Sequence, residues 1–303
     1  MSQARPIHPG TTYLITRRIE RRHCLLRPDP VINAFILYAF VVAALRHGIL
    51  AHAFCAMSTH VHYVITDPNG KLPQFLAMFH RSVAIGVKVI RQRDGAIWDR
   101  SQTSVVELCT RQAIVEKIAY VLNNPVDAGL VRHAHEWPGL ITKVDDLGRH
   151  LMSAQRPTQW FHSSNPEWTT EAALPISVPP SIHKADVDAF RQAINDELTE
   201  LETAAHARIP KNKVLGAKRV LKINPEQRIT SHEPVRQHNP TVAVGRGNRE
   251  ALINAKIGVR EFRQQYRRAF DRWRQGDRNV IFPAGTYAMR VVHGANIAPY
   301  VVS

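Results

Sequence analysis

The order of predicted elements places this chain in the α+β class: an antiparallel sheet covered by helices, followed by a mainly helical extension. Three observations predict this. Before Pro125, β-prone and helical runs follow the order strand, helix, two strands, helix, strand, helix. The helical runs carry apolar residues at helical spacing, as in Phe75, Leu76, Phe79 and Val83. Hydrophobic residues make up 44% of the 303, a normal fraction for a chain that buries a core.

Tyr13 to Thr16 is a short β-prone run, followed by basic Arg17, Arg18, Arg21 and Arg22. Val31 to His47 reads as a buried helix. Asp29 suits its N-cap, Pro30 its first turn and Gly48 its exit. Ile49 to Cys55 and Val61 to Thr66 are strand candidates, and Asp67-Pro68-Asn69-Gly70 signals a turn. Leu72 to Arg91 reads as a helix broken by Asp94-Gly95. Ala96 to Trp98 and Val105 to Cys109 read as extended. Thr110 to Asn123 reads as a helix capped by Thr110 and stopped by Pro125. Past about His150 the character changes, which predicts a catalytic domain over residues 1–150 and a basic extension over 151–303. Pro157 to Pro180 reads as a linker, Asp186 to His206 as a helix, and Lys211 to Arg249 as basic and aperiodic. A long helix over Arg249 to Gly276 carries the stripe Leu252, Val259, Phe262, Tyr266, Phe270 and Trp273, expected to bury against the catalytic domain.

Forty Lys and Arg against 25 Asp and Glu give a net charge of +15, which favours a polyanionic partner. Three widely spaced cysteines, with no C-x-x-C pair, argue against a cysteine zinc site and fit a reducing cytoplasm. Met1 to Gly10 lacks the apolar stretch of a secretory signal, and Val31 to Leu45 is short for a bilayer span. A soluble chain with no membrane partner is expected.

Two features carry chemistry. In His60-Val61-His62, alternation along a strand projects both imidazoles to one face. Two neutral imidazoles make half of a divalent-metal site. The pair alone is more often the mark of partly exposed strand histidines in a chain with 16 of them. The second feature is Tyr120-Val121-Leu122-Asn123-Asn124-Pro125. Tyr120 and Asn124, four apart, stack on a helix face away from the stripe of Ile114, Ile118, Val121 and Leu122. The bland reading is a surface tyrosine with a helix-ending Asn, and Pro125 biases Asn124 away from helical angles. Together the pieces suggest a mechanism. Two His and an amide oxygen can hold Mg²⁺ or Mn²⁺ beside a scissile phosphate. A phenol, titrating near 10, needs such help to act as a nucleophile.

At these residues the sequence resembles a known family. Met57 to Ile65 resembles the H-U-H strand of HUH endonucleases. Tyr120 to Val131, with Glu136-Trp137-Pro138, closely resembles the tyrosine helix of REP-associated tyrosine transposases, and Trp98-Asp99-Arg100 resembles the segment between the motifs. The likeness covers roughly Thr11 to Leu140, with a weaker echo at Phe282-Pro283-Ala284-Gly285-Thr286-Tyr287. It implies a ferredoxin-like (RRM-like) fold and metal-dependent cleavage and rejoining of single-stranded or hairpin DNA, by a monomer or homodimer on the nucleoid in a bacterial cytoplasm. Tyr120 matches the nucleophile, and His60, His62 and Asn124 the metal ligands. Ser58-Thr59 departs from the more usual Pro-Asn before the first histidine, altering a turn.

Arg17 and Arg18 could grip a DNA backbone, as could Arg260, Arg263 and Arg267 beside Lys256 and Arg274 on the last long helix. His80 and Arg81 read as a solvated helix face. Two alternatives stay open: a non-catalytic nucleic-acid-binding protein on the same fold, and a metal phosphoesterase using water.

Overall fold

The computed structural model describes residues 4–101, 103–158, 160–230 and 240–300. Strands β1 (Thr11–Arg18), β2 (Leu50–Met57), β3 (His60–Asp67) and β4 (Ser104–Leu108) alternate with helices α1 (Pro30–His47), α2 (Leu72–Arg91) and α3 (Arg111–Asp127) in the expected order. They pair in the spatial order β2-β3-β1-β4, every neighbour antiparallel. A short fifth strand, β7 (Val242–Ala243), joins the outer edge of β4 in parallel. The sheet is therefore mixed, a correction to the all-antiparallel expectation. A two-residue strand carries too little β signal to read in an aperiodic basic stretch. Residues 231–239 of that stretch lie outside the described residues.

The caps act as read. Asp29 Oδ1 accepts from the Ile32 amide at 3.1 Å, and Gly48 exits α1 with φ +66°. By length and composition α1 could cross a bilayer, but here it is a core helix, with Phe35, Ile36, Tyr38 and Phe40 fully buried. Phe40 sits among the rings of Phe54, Tyr63, Phe75 and Phe79, at centroid distances of 4.6, 5.5, 5.8 and 5.3 Å. These contacts place α1 and α2 on one face of the sheet. Helix α3 crosses β2 and β3 on the other face, and α4 (Val187–Arg208) packs on α3.

Pro125 does not stop α3, which runs to Asp127. A proline removes one helical donor, a cost of about 3 kcal/mol in a helix interior. Here it sits in the last turn, and that turn is closed by later amides: Ala128 donates to the Asn124 carbonyl and Leu130 to that of Pro125. Asn124 is thereby kept in helical register with Tyr120.

The stretch expected to be a linker is ordered. Strands β5 (Leu151–Gln155) and β6 (Glu171–Pro175) form a hairpin lying on α1, and Phe161 stacks on Phe35 at 5.1 Å. One apolar core runs from Tyr13 to Val220, the last in the short helix α5 (Ala217–Val220). A second, small core gathers Ala269 of α6 (Arg249–Arg274), Phe282 of β8 (Ile281–Phe282), Met289 of α7 (Ala288–His293) and Ala295, beside β9 (Asn296–Ile297). Tyr266 and Trp273 of α6 close on Phe282 at 5.6 and 6.1 Å. The apolar stripe of α6 is thus met, over its second half, by the chain's own last elements rather than by the central sheet.

Candidate active site

The register of β3 sets the site. Val61, Tyr63 and Ile65 point into the α1/α2 core, and all three are fully buried. His60 and His62 therefore point to the α3 face. Their rings meet edge to face at 4.5 Å and 87°. Neighbouring hydroxyls hold both: Thr16, cross-strand partner of His62, shares a 2.7 Å hydrogen bond with its Nδ1, and Thr59 a 2.8 Å bond with Nδ1 of His60. The Ser58-Thr59 turn is stitched to the fold by its carbonyls, which accept from the Leu26 and Ile19 amides. Thr59 also supplies the hydroxyl on His60.

Helix α3 brings its exposed edge over this pair. The Tyr120 ring meets that of His62 at 5.4 Å and 81°. Tyr120 remains 39% exposed, so a nucleic acid can reach it. One turn on, Asn124 donates from Nδ2 to the Tyr120 carbonyl at 2.7 Å. That bond fixes which end of the amide is which and leaves Oδ1 as its acceptor atom. Lys117 lies one turn before, its ammonium 5.9 Å from the Tyr120 ring centroid.

His62 is 3% exposed, and burial pushes its pKa well below the usual imidazole value, with His60 and Arg18 pushing the same way. It is neutral at physiological pH, the state in which an imidazole can ligate a metal.

The predicted residues are thus only partly brought together. His60, His62 and Tyr120 come together, and Asn124 stands one turn beyond Tyr120 on α3 with its amide nitrogen turned back to the Tyr120 carbonyl. Arg18 is exposed and stands opposite His60 in the β1–β3 register, on the same face. Arg17 points the other way. Its guanidinium lies 5.7 Å from the Trp98 ring centroid and donates to the Ser101 carbonyl at 2.6 Å. His80 does not lie on a solvated face: its Nε2 bonds the buried Tyr63 hydroxyl at 3.0 Å, its carbonyl accepts from the Trp98 indole, and burial drives its pKa down to about 3. Arg260, Arg263 and Arg267 line one groove of about 380 Å³ with Lys256 and Thr241, and Arg263 also donates to the Ala4 carbonyl. Thr16, Thr59 and Lys117 escaped the sequence reading. Lys117 could have been found by its i−3 spacing from Tyr120. Thr16 becomes visible only once β1 and β3 are paired.

Among solved structures, that of a REP-associated tyrosine transposase bound to a REP hairpin matches at 18% identity, with a TM-score of 0.40. The match covers 55% of this chain and 94% of that one. A likeness that distant decides nothing about this chain's chemistry. No family profile matches the chain, and no curated protein does.

Proposed function

We propose that this chain is a metal-dependent endonuclease and strand transferase for single-stranded DNA, with Tyr120 as its nucleophile. The observation that carries the reading is the edge-on packing of Tyr120 against His62, with His60 beside it. A tyrosine on one helix and a histidine pair on one strand share a single site, as the resemblance to REP-associated tyrosine transposases implies. The β-α-β-β-α-β order with spatial order β2-β3-β1-β4 supports a ferredoxin-like catalytic core. The charge of +15 supports a nucleic-acid partner, here single-stranded or hairpin DNA.

Two imidazoles and an amide oxygen would hold a divalent ion, for which the resemblance implies Mg²⁺ or Mn²⁺. His60 and His62 share Nδ1 with the Thr59 and Thr16 hydroxyls; in the tautomer protonated on Nδ1 each would present Nε2 to an ion, and Asn124 would offer Oδ1. An ion held there would supply polarisation of a phosphate. Tyr120 then attacks the phosphorus. Its Oη–P bond forms, its proton passes to solvent, and the P–O bond to the neighbouring nucleotide breaks. The departing oxygen takes a proton and leaves a free hydroxyl end. One phosphodiester is exchanged for another, so a second hydroxyl end can reverse the step and rejoin DNA without a nucleotide cofactor. Arg18, on the same face, supplies charge for the strand's backbone. The active species is a monomer or homodimer in a bacterial cytoplasm, on the nucleoid.

The test is cleavage of labelled hairpin and single-stranded DNA with Mn²⁺, with chelator, and with His60→Ala/His62→Ala. Chelator and the double variant are both expected to abolish cleavage, and re-added Mn²⁺ to restore it in the wild type alone. Full activity in excess chelator would overturn the assignment of this site.

A further inference from the structure

A second cluster of ligating side chains lies just beyond the tyrosine helix, built from residues the proposed reaction does not use. After α3 the chain runs through Arg132, His133 and Ala134, where α4 packs against it. Glu202 and His206 stand four apart on α4 and so share its face. Glu202 is held at both oxygens: Oε1 accepts from the Ala134 amide at 3.0 Å, and Oε2 lies 3.1 Å from Nδ1 of His133. His206 Nε2 lies 2.7 Å from the Arg132 carbonyl. A carbonyl only accepts, so Nε2 carries the proton and Nδ1 the lone pair. The rings of His133 and His206 meet at 5.3 Å and 89°. One ligand atom from each of His133, Glu202 and His206 falls within 4.8 Å of the other two, and all three side chains are half-buried.

We propose that His133, Glu202 and His206 form a second divalent-metal site, for a zinc-class ion, that clamps α4 to the segment following the tyrosine helix. The chemistry of the set selects the ion. Two imidazoles and a carboxylate suit Zn²⁺, Co²⁺ or Ni²⁺ better than Mg²⁺, which prefers oxygen ligands and water. Zn²⁺ holds such ligands at about 2.0–2.2 Å, so neighbouring ligand atoms end about 3.4 Å apart in a tetrahedron. The atoms of the cluster reach that spacing by side-chain adjustment of roughly an ångström. The anchors are already made: the Arg132 carbonyl fixes the tautomer and aim of His206, and the Ala134 amide fixes Glu202. Such outer bonds commonly orient ligands in metal sites. On binding, the ion replaces the proton that His133 Nδ1 shares with Glu202, and the ring carries its proton on Nε2 instead. Three protein ligands leave one position for water. The consequence is mechanical. His133 follows the helix that carries Tyr120, whereas Glu202 and His206 belong to the extension. An ion held by both couples the extension to the catalytic sheet and stabilises the folded chain by mass action.

The test uses the full chain in three forms: wild type, His60→Ala/His62→Ala, and that double variant with His133→Gln/His206→Gln added. Co²⁺ is titrated and followed by visible absorption, then displaced with Zn²⁺, and thermal unfolding is recorded with and without Zn²⁺. The His60→Ala/His62→Ala protein is expected to keep one equivalent of Co²⁺ that Zn²⁺ displaces. Its unfolding midpoint is expected to rise by roughly 5 °C or more at about a hundredfold excess of Zn²⁺ over Kd. Adding His133→Gln/His206→Gln to the His60→Ala/His62→Ala protein is expected to remove both that equivalent and the Zn²⁺-dependent shift, with its far-ultraviolet circular dichroism unchanged. Should that variant not fold, Glu202→Gln, which keeps an acceptor for the Ala134 amide, is read in the same way. No metal uptake by the His60→Ala/His62→Ala protein would overturn the proposal. So would an undiminished equivalent in the variant that lacks the cluster.

Discussion

The two faces of the central sheet are made from alternate residues of the same strands, and they are built on opposite rules. On the α1/α2 face, Tyr63 of β3 joins Phe54, Phe40, Phe75 and Phe79 in a closed aromatic core. On the α3 face the next residues along β3 are His60 and His62, tied to hydroxyls and met by a half-exposed tyrosine. The first face is apolar and closed, so its contribution is stability. The second is packed by the apolar stripe of α3 but keeps, at that helix's exposed edge, a patch of polar atoms close together, which makes a site. A strand with period two carries both without compromise, because a side chain on one face does not compete for space with its neighbour on the other.

The largest effect expected on the closed face is from Phe40→Ala. Phe40 is fully buried against four rings, and deletion of such a side chain costs about 3–5 kcal/mol. Denaturant unfolding should show that loss, whereas His62→Ala should show much less. Comparable destabilisation by the two would mean that the His60–His62 patch is itself a packing surface, and the contrast would fail.

Thr16→Val sharpens the comparison from the other side. It keeps the shape of the side chain and removes the hydroxyl on His62 Nδ1. Loss of such a partner typically costs about 10–100-fold in metal affinity or activity. The Mn²⁺ concentration for half-maximal cleavage should rise by that order with little change in unfolding free energy. An unchanged Mn²⁺ requirement would show that Thr16 does not aim the ring.

How much of this was legible in the sequence follows the same division. The strand–helix order and the caps at Asp29 and Thr110 could be read because each rests on a local pattern: periodicity, an N-cap, a Gly exit. The meeting of His60, His62 and Tyr120, with Asn124 one turn further along α3, could be expected from two local spacings and the resemblance. What could not be read depends on pairing at long range. The bond from Thr16 to His62 needs the β1–β3 register, and the turn of Arg17 toward Trp98 follows from the same alternation once that register is known. The parallel edge strand at Val242–Ala243 is too short to leave a period. The continuation of α3 through Pro125 is set by bonds from amides beyond the helix, Ala128 to Asn124 and Leu130 to Pro125, which leave no local pattern.

The smallest effect concerns the extension. Charge reversal at Arg260, Arg263 and Arg267, which share a groove with Lys256, should weaken single-stranded DNA binding. It should also flatten the log–log salt dependence by about 0.7 for each lost phosphate contact. The single-turnover cleavage rate at saturating DNA should hold. A salt titration that leaves the slope unchanged would make the groove a solvated surface, with no part in binding.

The central claim is that the α3 face makes a covalent bond to DNA through Tyr120. The most direct measurement incubates the full chain with Mn²⁺ and single-stranded hairpin DNA, isolates protein–DNA adduct under denaturing conditions, and maps the modified peptide by mass spectrometry. A nucleotide on Tyr120 is predicted, with no adduct from Tyr120→Phe and near-normal DNA binding by that variant. An adduct on another residue, or one that persists in Tyr120→Phe, would contradict the claim.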